Sequence, residues 1–215
     1  MWSNTRHHAI RLATAADTPD LAKMLARSFA QEEFWTWMVG THAGVEQRLE
    51  QGFATQIRRF ALPHQHVWCG TQYEAAALWS PPNGWHLGLL QQAQLLPEFV
   101  RLIGIRRLWA VSRVVDIIQA VHSKTPHYYL QVLGVDPAQQ GQGWSRPLMQ
   151  VVLDQADRRH MPCYLETATP SNLSLYRRFG FEVMHTLDDL PYRAPTLWGM
   201  WREPSIANKS VKIKV

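Results

Sequence analysis

Hydrophobic positions recur along this chain with two periods, and glycines and prolines mark where one gives way to the other. Ala9-Ile-Arg-Leu-Ala13 alternates as a half-buried strand does. Asp17, with Pro19 behind it, reads as the N-cap of a helix whose inward stripe is Leu21, Met24, Leu25 and Phe29. A second helix is predicted over 43–62, with Val45, Leu49, Phe53 and Ile57 on one face and Pro63 as its stop. Val67-Trp-Cys69 and residues 74–79 read as hairpin strands around Gly70-Thr71, ended by Pro81-Pro82.

Residues from about 86 to 124 predict a largely helical insertion, broken by Pro97, Gly104 and polar residues, that shapes a pocket wall. Its most apolar stretch, 99–121, carries Arg101, Arg106, Arg107, Arg113 and Asp116, too many charges for a membrane span. Further strands are predicted over 128–135 and 163–167, and helices over 146–159 and 173–179, the last closed by Gly180. Residues 181–186 and 196–201 then form an antiparallel pair joined by a long loop. Residues 205–215 lack a core stripe and carry Lys209, Lys212 and Lys214, so a domain over 1–204 and a mobile basic tail are expected.

Composition narrows the function classes. With 215 residues and 46% hydrophobic side chains, the chain buries the core of one domain. Cys69 and Cys163 are too few for a disulfide framework, and each lies in an apolar run that suits a buried thiol. No cationic segment followed by an apolar run opens the chain, so the cytoplasm is the expected location. The net charge of +5 is compatible with an anionic ligand. No nucleic-acid module accompanies it, so neither nucleic acid nor membrane is an expected partner.

The densest chemistry lies between His127 and Gly180. A strand ending in Leu133-Gly-Val-Asp-Pro137 runs into Gln140-Gly-Gln-Gly-Trp-Ser145, which opens a helix. Glycines without Cβ let such a loop approach phosphate oxygens, and the unpaired N–H groups and dipole of the helix start attract an anion. A second strand, Tyr164-Leu-Glu-Thr-Ala168, precedes Asn172-Leu-Ser-Leu-Tyr176. This order, with Gln-x-x-Gly-x-Ser and then Asn-x-x-x-Tyr, resembles the GNAT superfamily of acyl-CoA-dependent N-acyltransferases. Within it the likeness is greatest to the branch containing puromycin N-acetyltransferase, and it extends over residues 10–204.

The resemblance implies an α/β (α+β) fold: one domain with a mixed, mostly antiparallel sheet, central strands that splay apart, flanking helices and the insertion before the motif strand. It implies acetyl-CoA as acyl-donor cosubstrate, no metal, and direct transfer to a small-molecule amine, with a homodimer as an open option. Gln140, Gly141, Gln142, Gly143, Trp144 and Ser145 would hold the pyrophosphate, although Ser145 stands where the family carries Gly or Ala. Leu133, Gly134 and Val135 match the bulge at the splay, whose freed N–H groups would bind the thioester carbonyl and pantetheine amides. Asn172 would cap its helix or touch the pantetheine arm. Tyr176 matches the general acid, since a phenol with pKa near ~10 is protonated at neutral pH.

The general base is open at this level. Glu166 is a carboxylate in an otherwise apolar strand, suited to a base or to a structural bond with a backbone N–H or Arg177. His127 is a second candidate, whereas Gln131 stands where several family members carry a carboxylate. That departure leaves a silent CoA-binding sensor as one alternative, and protein N-acetylation as another. For the acceptor, Glu33, Phe34, Trp35, Trp37 and Trp79, with Glu32 and Trp85 nearby, suit an amine on an aromatic or apolar body. Core packing would use the same aromatics.

Overall fold

The alternating segments pair into one seven-stranded sheet. Its strands are β1 (Ile10–Leu12), β2 (Val67–Gly70), β3 (Ala75–Ser80), β4 (Tyr128–Val135), β5 (Cys163–Thr167), β6 (Glu182–Leu187) and β7 (Leu197–Arg202), in the order β1-β2-β3-β4-β5-β7-β6. Every neighbouring pair is antiparallel except β4 and β5, which are parallel and joined through a helix as parallel strands must be. The structure, a computed structural model, describes residues 8–40, 44–84 and 89–205, of which only the backbone over 89–95.

Helices cover both faces. They are α1 (Thr18–Phe29), α2 (Glu33–Val39), α3 (Val45–Gln56), α4 (Leu89–Ile103), α5 (Ile105–Val121), α6 (Ser145–Arg158) and α7 (Pro170–Arg177). Strand alternation divides the core: Ala76, Leu78 and Val132 pack on Leu21, Leu25, Leu49 and Phe53 of α1 and α3. Ala75, Ala77, Trp79 and Leu130 face the other way, onto Leu148, Met149 and Val152 of α6. Shifting β3 by one residue would exchange the two sets, so its register is fixed from both sides.

Several expectations need correction. Asp17 does not cap α1 with its side chain; it closes a short turn (Ala15–Asp17), accepting from the Thr14 N–H and hydroxyl and from the Arg11 guanidinium at 2.7 and 2.8 Å. The helix read over 43–62 is α3, followed by a wide π turn (Ile57–Ala61). Pro97 lies inside α4 without ending it, and Gly104, at φ +83°, makes the break to α5. The helix expected at 173–179 starts at Pro170, whose fixed φ suits the first turn. Trp85 and the tail lysines lie outside the described residues. Among the described residues, no helix is long and apolar enough to cross a membrane.

Candidate active site

The parallel pairing of β4 with β5 stops at Leu130 and Leu165, although β4 continues to Val135 and β5 to Thr167. The strands part there and leave a gap. The bulge belongs to Gln131: Leu78 pairs with Val132 and Trp79 with Leu130, so Gln131 is the extra residue. Leu133, Gly134 and Val135 pair regularly with Ala77, Ala76 and Ala75 beyond it. The expected bulge is therefore displaced toward the start of the strand. The Asp136 N–H bonds the Glu74 carbonyl on the β3 side. Backbone alternation therefore turns the N–H groups of Leu133 and Val135 toward the gap. A Cβ on Gly134 would sit 2.5 Å from Leu25 Cδ2, so glycine lets α1 pack close beneath this stretch.

A cavity of about 760 Å³ runs from the gap across the loop to the start of α6. Leu133, Gly134 and Val135, then Gln140, Gly141, Gly143, Trp144 and Ser145 line it, with Asn172 and Tyr176 of α7 at its inner end. Gly141 and Gly143 adopt φ of +75° and +90°, the left-handed region that glycine reaches without strain. No atom would meet a Cβ at either within 4 Å, so the loop is glycine-rich for its conformation and leaves open space for an anion. Gln142 does not line this cavity; its carbonyl lies 2.8 Å from His8 Nε2, and the His8 ring stacks on Trp144 at 4.0 Å.

A second cavity, of about 360 Å³, opens on the other side of the gap. Glu166 of β5 stands in its wall, with Oε2 accepting from the Tyr129 hydroxyl at 2.5 Å and Oε1 lying 3.3 Å from His122 Nδ1. Among the described residues, no contact with Arg177 or a backbone N–H holds this carboxylate. Glu32 caps α2 by accepting from the Trp35 N–H at 2.9 Å, and burial raises its carboxyl above the ordinary range. Gln131 is tied down by its amide, which donates to Ser80 Oγ at 2.8 Å. Phe34, Trp35, Gln56 and Gln131 also border an apolar extension of about 280 Å³, lined further by Met38, Phe60 and Leu102.

Phe29, Glu32, Leu133, Thr169, Asn172 and Tyr176 line both cavities. The Tyr176 ring is buried, and both burial and Glu32 nearby raise its phenol well above the usual value. It is a neutral donor set at the junction. The family model described as acetyltransferase (GNAT) family matches residues 52–181, more than half of the chain. The chain belongs to the GNAT acetyltransferase family.

The chain is 35% identical over 54 residues to an uncharacterised N-acetyltransferase of Schizosaccharomyces pombe; that stretch is 25% of the chain and 22% of the relative. Among solved structures it is similar to a Corynebacterium glutamicum protein described as histone acetyltransferase HPA2 and related acetyltransferase (TM-score 0.69, 20% identity, 94% of this chain and 98% of that one). It also resembles a polyamine N-acetyltransferase of Drosophila melanogaster (TM-score 0.59, 15% identity, 91% and 99%). A third is the ribosomal-protein-S18-alanine N-acetyltransferase of Escherichia coli (TM-score 0.52, 16% identity, 95% and 98%). At these identities the likeness is one of fold. The family's acyl donor is acetyl-CoA, and the open glycine loop, the helix start and the unpaired edge of β4 fit its phosphates and amides.

Of the aromatic residues considered for the acceptor, Phe34 and Trp35 line the second cavity. Trp79 does not: it is fully buried against α6 on the opposite sheet face, because β3 alternation sends it there. Trp37 packs on Phe34 and donates its indole N–H to the Tyr192 carbonyl at 3.0 Å, outside the cavity lining. Glu33 is exposed and lines the donor cavity, whereas its neighbour Glu32 reaches both. Sequence reasoning missed His122, Tyr129 and Gln56 as wall residues. The only local signal was a polar group on an otherwise apolar stripe, which many surface positions share. Cys163 is pushed up to about 12 by burial, which leaves it a packing residue rather than a nucleophile.

Proposed function

We propose that this chain moves an acetyl group from acetyl-CoA to the primary amine of a small molecule with an aromatic or apolar body, in a direct ternary complex. One observation carries this: the donor cavity and a pocket holding two carboxylates open onto each other across Tyr176. Bound acetyl-CoA supplies the acyl group as a thioester. The N–H groups of Leu133 and Val135 are oriented to hold carbonyl oxygens in the gap, where charge develops during acyl transfer. Glu166 receives a proton from the incoming ammonium, freeing the lone pair that attacks. Tyr176 gives its proton to the departing sulfur. Glu32, above the ordinary carboxylate range, faces the same junction and helps hold a cation there.

The pocket walls favour a small acceptor. Val115 and Ile118 of α5, with His122 at its C-cap, line the second cavity, and Phe99 and Leu102 of α4 line its apolar extension. A peptide acceptor calls for an open polar groove instead. The carboxylate absent at Gln131 is replaced in space by Glu166, which supports catalysis over a silent sensor.

The test is acetyl-CoA turnover by the purified chain over arylalkylamines, alkylamines, diamines and N-terminal peptides, read by thiol release and by mass of the product. Arylalkyl or alkyl amines should turn over fastest, with intersecting initial-velocity lines. Faster acetylation of peptides, or parallel lines, would overturn the reading.

A further inference from the structure

Glu166 is one end of a chain of contacts that leads away from the pocket. His122 Nδ1 lies 3.3 Å from Glu166 Oε1, His122 Nε2 lies 3.0 Å from His127 Nε2, and His127 Nδ1 lies 2.6 Å from the Thr125 carbonyl oxygen. The two histidines are buried, and the Glu166 side chain is 13% exposed, at the pocket wall. A carbonyl only accepts, so His127 Nδ1 must carry a proton. One further proton must lie between the two Nε2 atoms, and one between His122 Nδ1 and Glu166.

Three contacts therefore need three protons. Two neutral imidazoles carry only two, and a carboxylate carries none. With every bond made, the trio holds one proton beyond its neutral-imidazole, ionised-carboxylate state. If that proton leaves, one contact must set lone pair against lone pair: nitrogen on nitrogen, or nitrogen on carboxylate oxygen. Such a contact is unfavourable where water does not reach, so the three side chains hold that last proton jointly.

Among the described residues around the trio, Tyr129 of β4 donates to Glu166 Oε2, and Tyr164 of β5 faces Glu166 with its hydroxyl 3.2 Å from His185 Nε2 of β6. Burial keeps both phenols protonated and favours neutral His185. Trp201 of β7 covers the His127 ring.

We propose that Glu166, His122 and His127 act as a single base, with His122 and His127 as positioning residues that share the proton Glu166 receives. The proposal rests on the acetyl-transfer reading. In the step, an N–H bond of the bound ammonium breaks and its electron pair stays on nitrogen. The proton passes to Glu166 and is shared with the two imidazoles, then leaves to solvent through the emptied pocket.

Two measurements decide it. In protein labelled with ¹⁵N-histidine, long-range proton–nitrogen spectra recorded from about pH 5 to about pH 9 should show His122 and His127 changing together in one step. Glu166→Gln, which removes the negative end, should move that step down by about one pH unit. Separate steps indifferent to Glu166→Gln overturn the shared proton, whatever the acceptor is. In turnover, His127→Gln, which touches no substrate, should lower kcat about tenfold at pH 7 and move the acidic limb of kcat/KM for the amine down by about one unit. KM for acetyl-CoA and the melting midpoint should hold. His122→Asn, which keeps a donor toward Glu166, serves where His127→Gln fails to fold. A variant pH profile that overlays the parent's overturns the single base while leaving acetyl transfer standing. A common histidine step in a chain that acetylates no amine retires the acetyl-transfer reading and leaves the shared proton standing.

Discussion

The donor cavity and the acceptor cavity meet at six residues, yet they are made of different material. The donor side is largely backbone: the free edge of β4, a loop held by Gly141 and Gly143 at positive φ, and the start of α6. The acceptor side is mostly side chain, gathered from α1, α2, α3, α5, β4, β5 and β7. Backbone geometry recognises a ligand common to a whole family, because every residue carries the same N–H and C=O. Side chains at a junction of several elements change one at a time, so that is where a particular amine is selected.

The sharpest way to break this division is Glu166→Gln. It should lower kcat about a hundredfold and leave KM for acetyl-CoA unchanged, as read in steady-state kinetics at saturating donor. A rise in KM for acetyl-CoA of the same size would mean that the two cavities are not separate in function.

Tyr176→Phe, at the junction, should lower turnover by well over tenfold for every amine alike, with acetyl-CoA affinity by calorimetry little changed. Burial raises this phenol, so its protonated form persists to higher pH than an exposed tyrosine's. The kcat profile of the parent enzyme should accordingly show no alkaline loss from this group up to about pH 9, below the unperturbed value near ~10.

Trp35→Ala should raise KM for an aromatic amine about tenfold, the loss of one stacked ring and its buried area, while a short aliphatic amine is affected less. Trp79→Phe is the control, since Trp79 is buried on the far sheet face: KM should hold for both substrates and only the melting midpoint should fall. An amine-specific effect of Trp79→Phe would contradict the placement of β3.

The smallest effect belongs to the backbone. Gly143→Ala meets no atom, so its only cost is the left-handed conformation, about 1 kcal/mol, or roughly a fivefold weaker acetyl-CoA interaction with kcat intact. A larger loss would show that the loop changes shape around its ligand.

The same contrast explains what was legible in advance. Gly141, Gly143 and Tyr176 could be read from one continuous stretch, because loop geometry and helix start are local properties of the chain. The bulge was misplaced by a few residues, since its position depends on pairing with β3, where Leu78 and Trp79 set the register. Trp79 was assigned to the pocket because its residue type suits a pocket. Only the face on which it lands distinguishes the two, and a one-residue phase decides that. Glu32 and Glu33 are adjacent and chemically alike, yet the N-cap geometry of α2 turns only the first into the junction between the cavities.

The sequence by itself determined the succession of strands and helices, the glycine loop before α6 and the tyrosine of α7, all of which follow from interactions within about ten residues. The tertiary structure alone decided that Glu166 meets Tyr129 and His122 instead of Arg177, and that two histidines five residues apart join it in one hydrogen-bonded chain. The physical reason is the reach of the forces involved. Turn and helix preferences act along the chain, whereas the proton affinity of a carboxylate depends on which groups face it across a gap between strands.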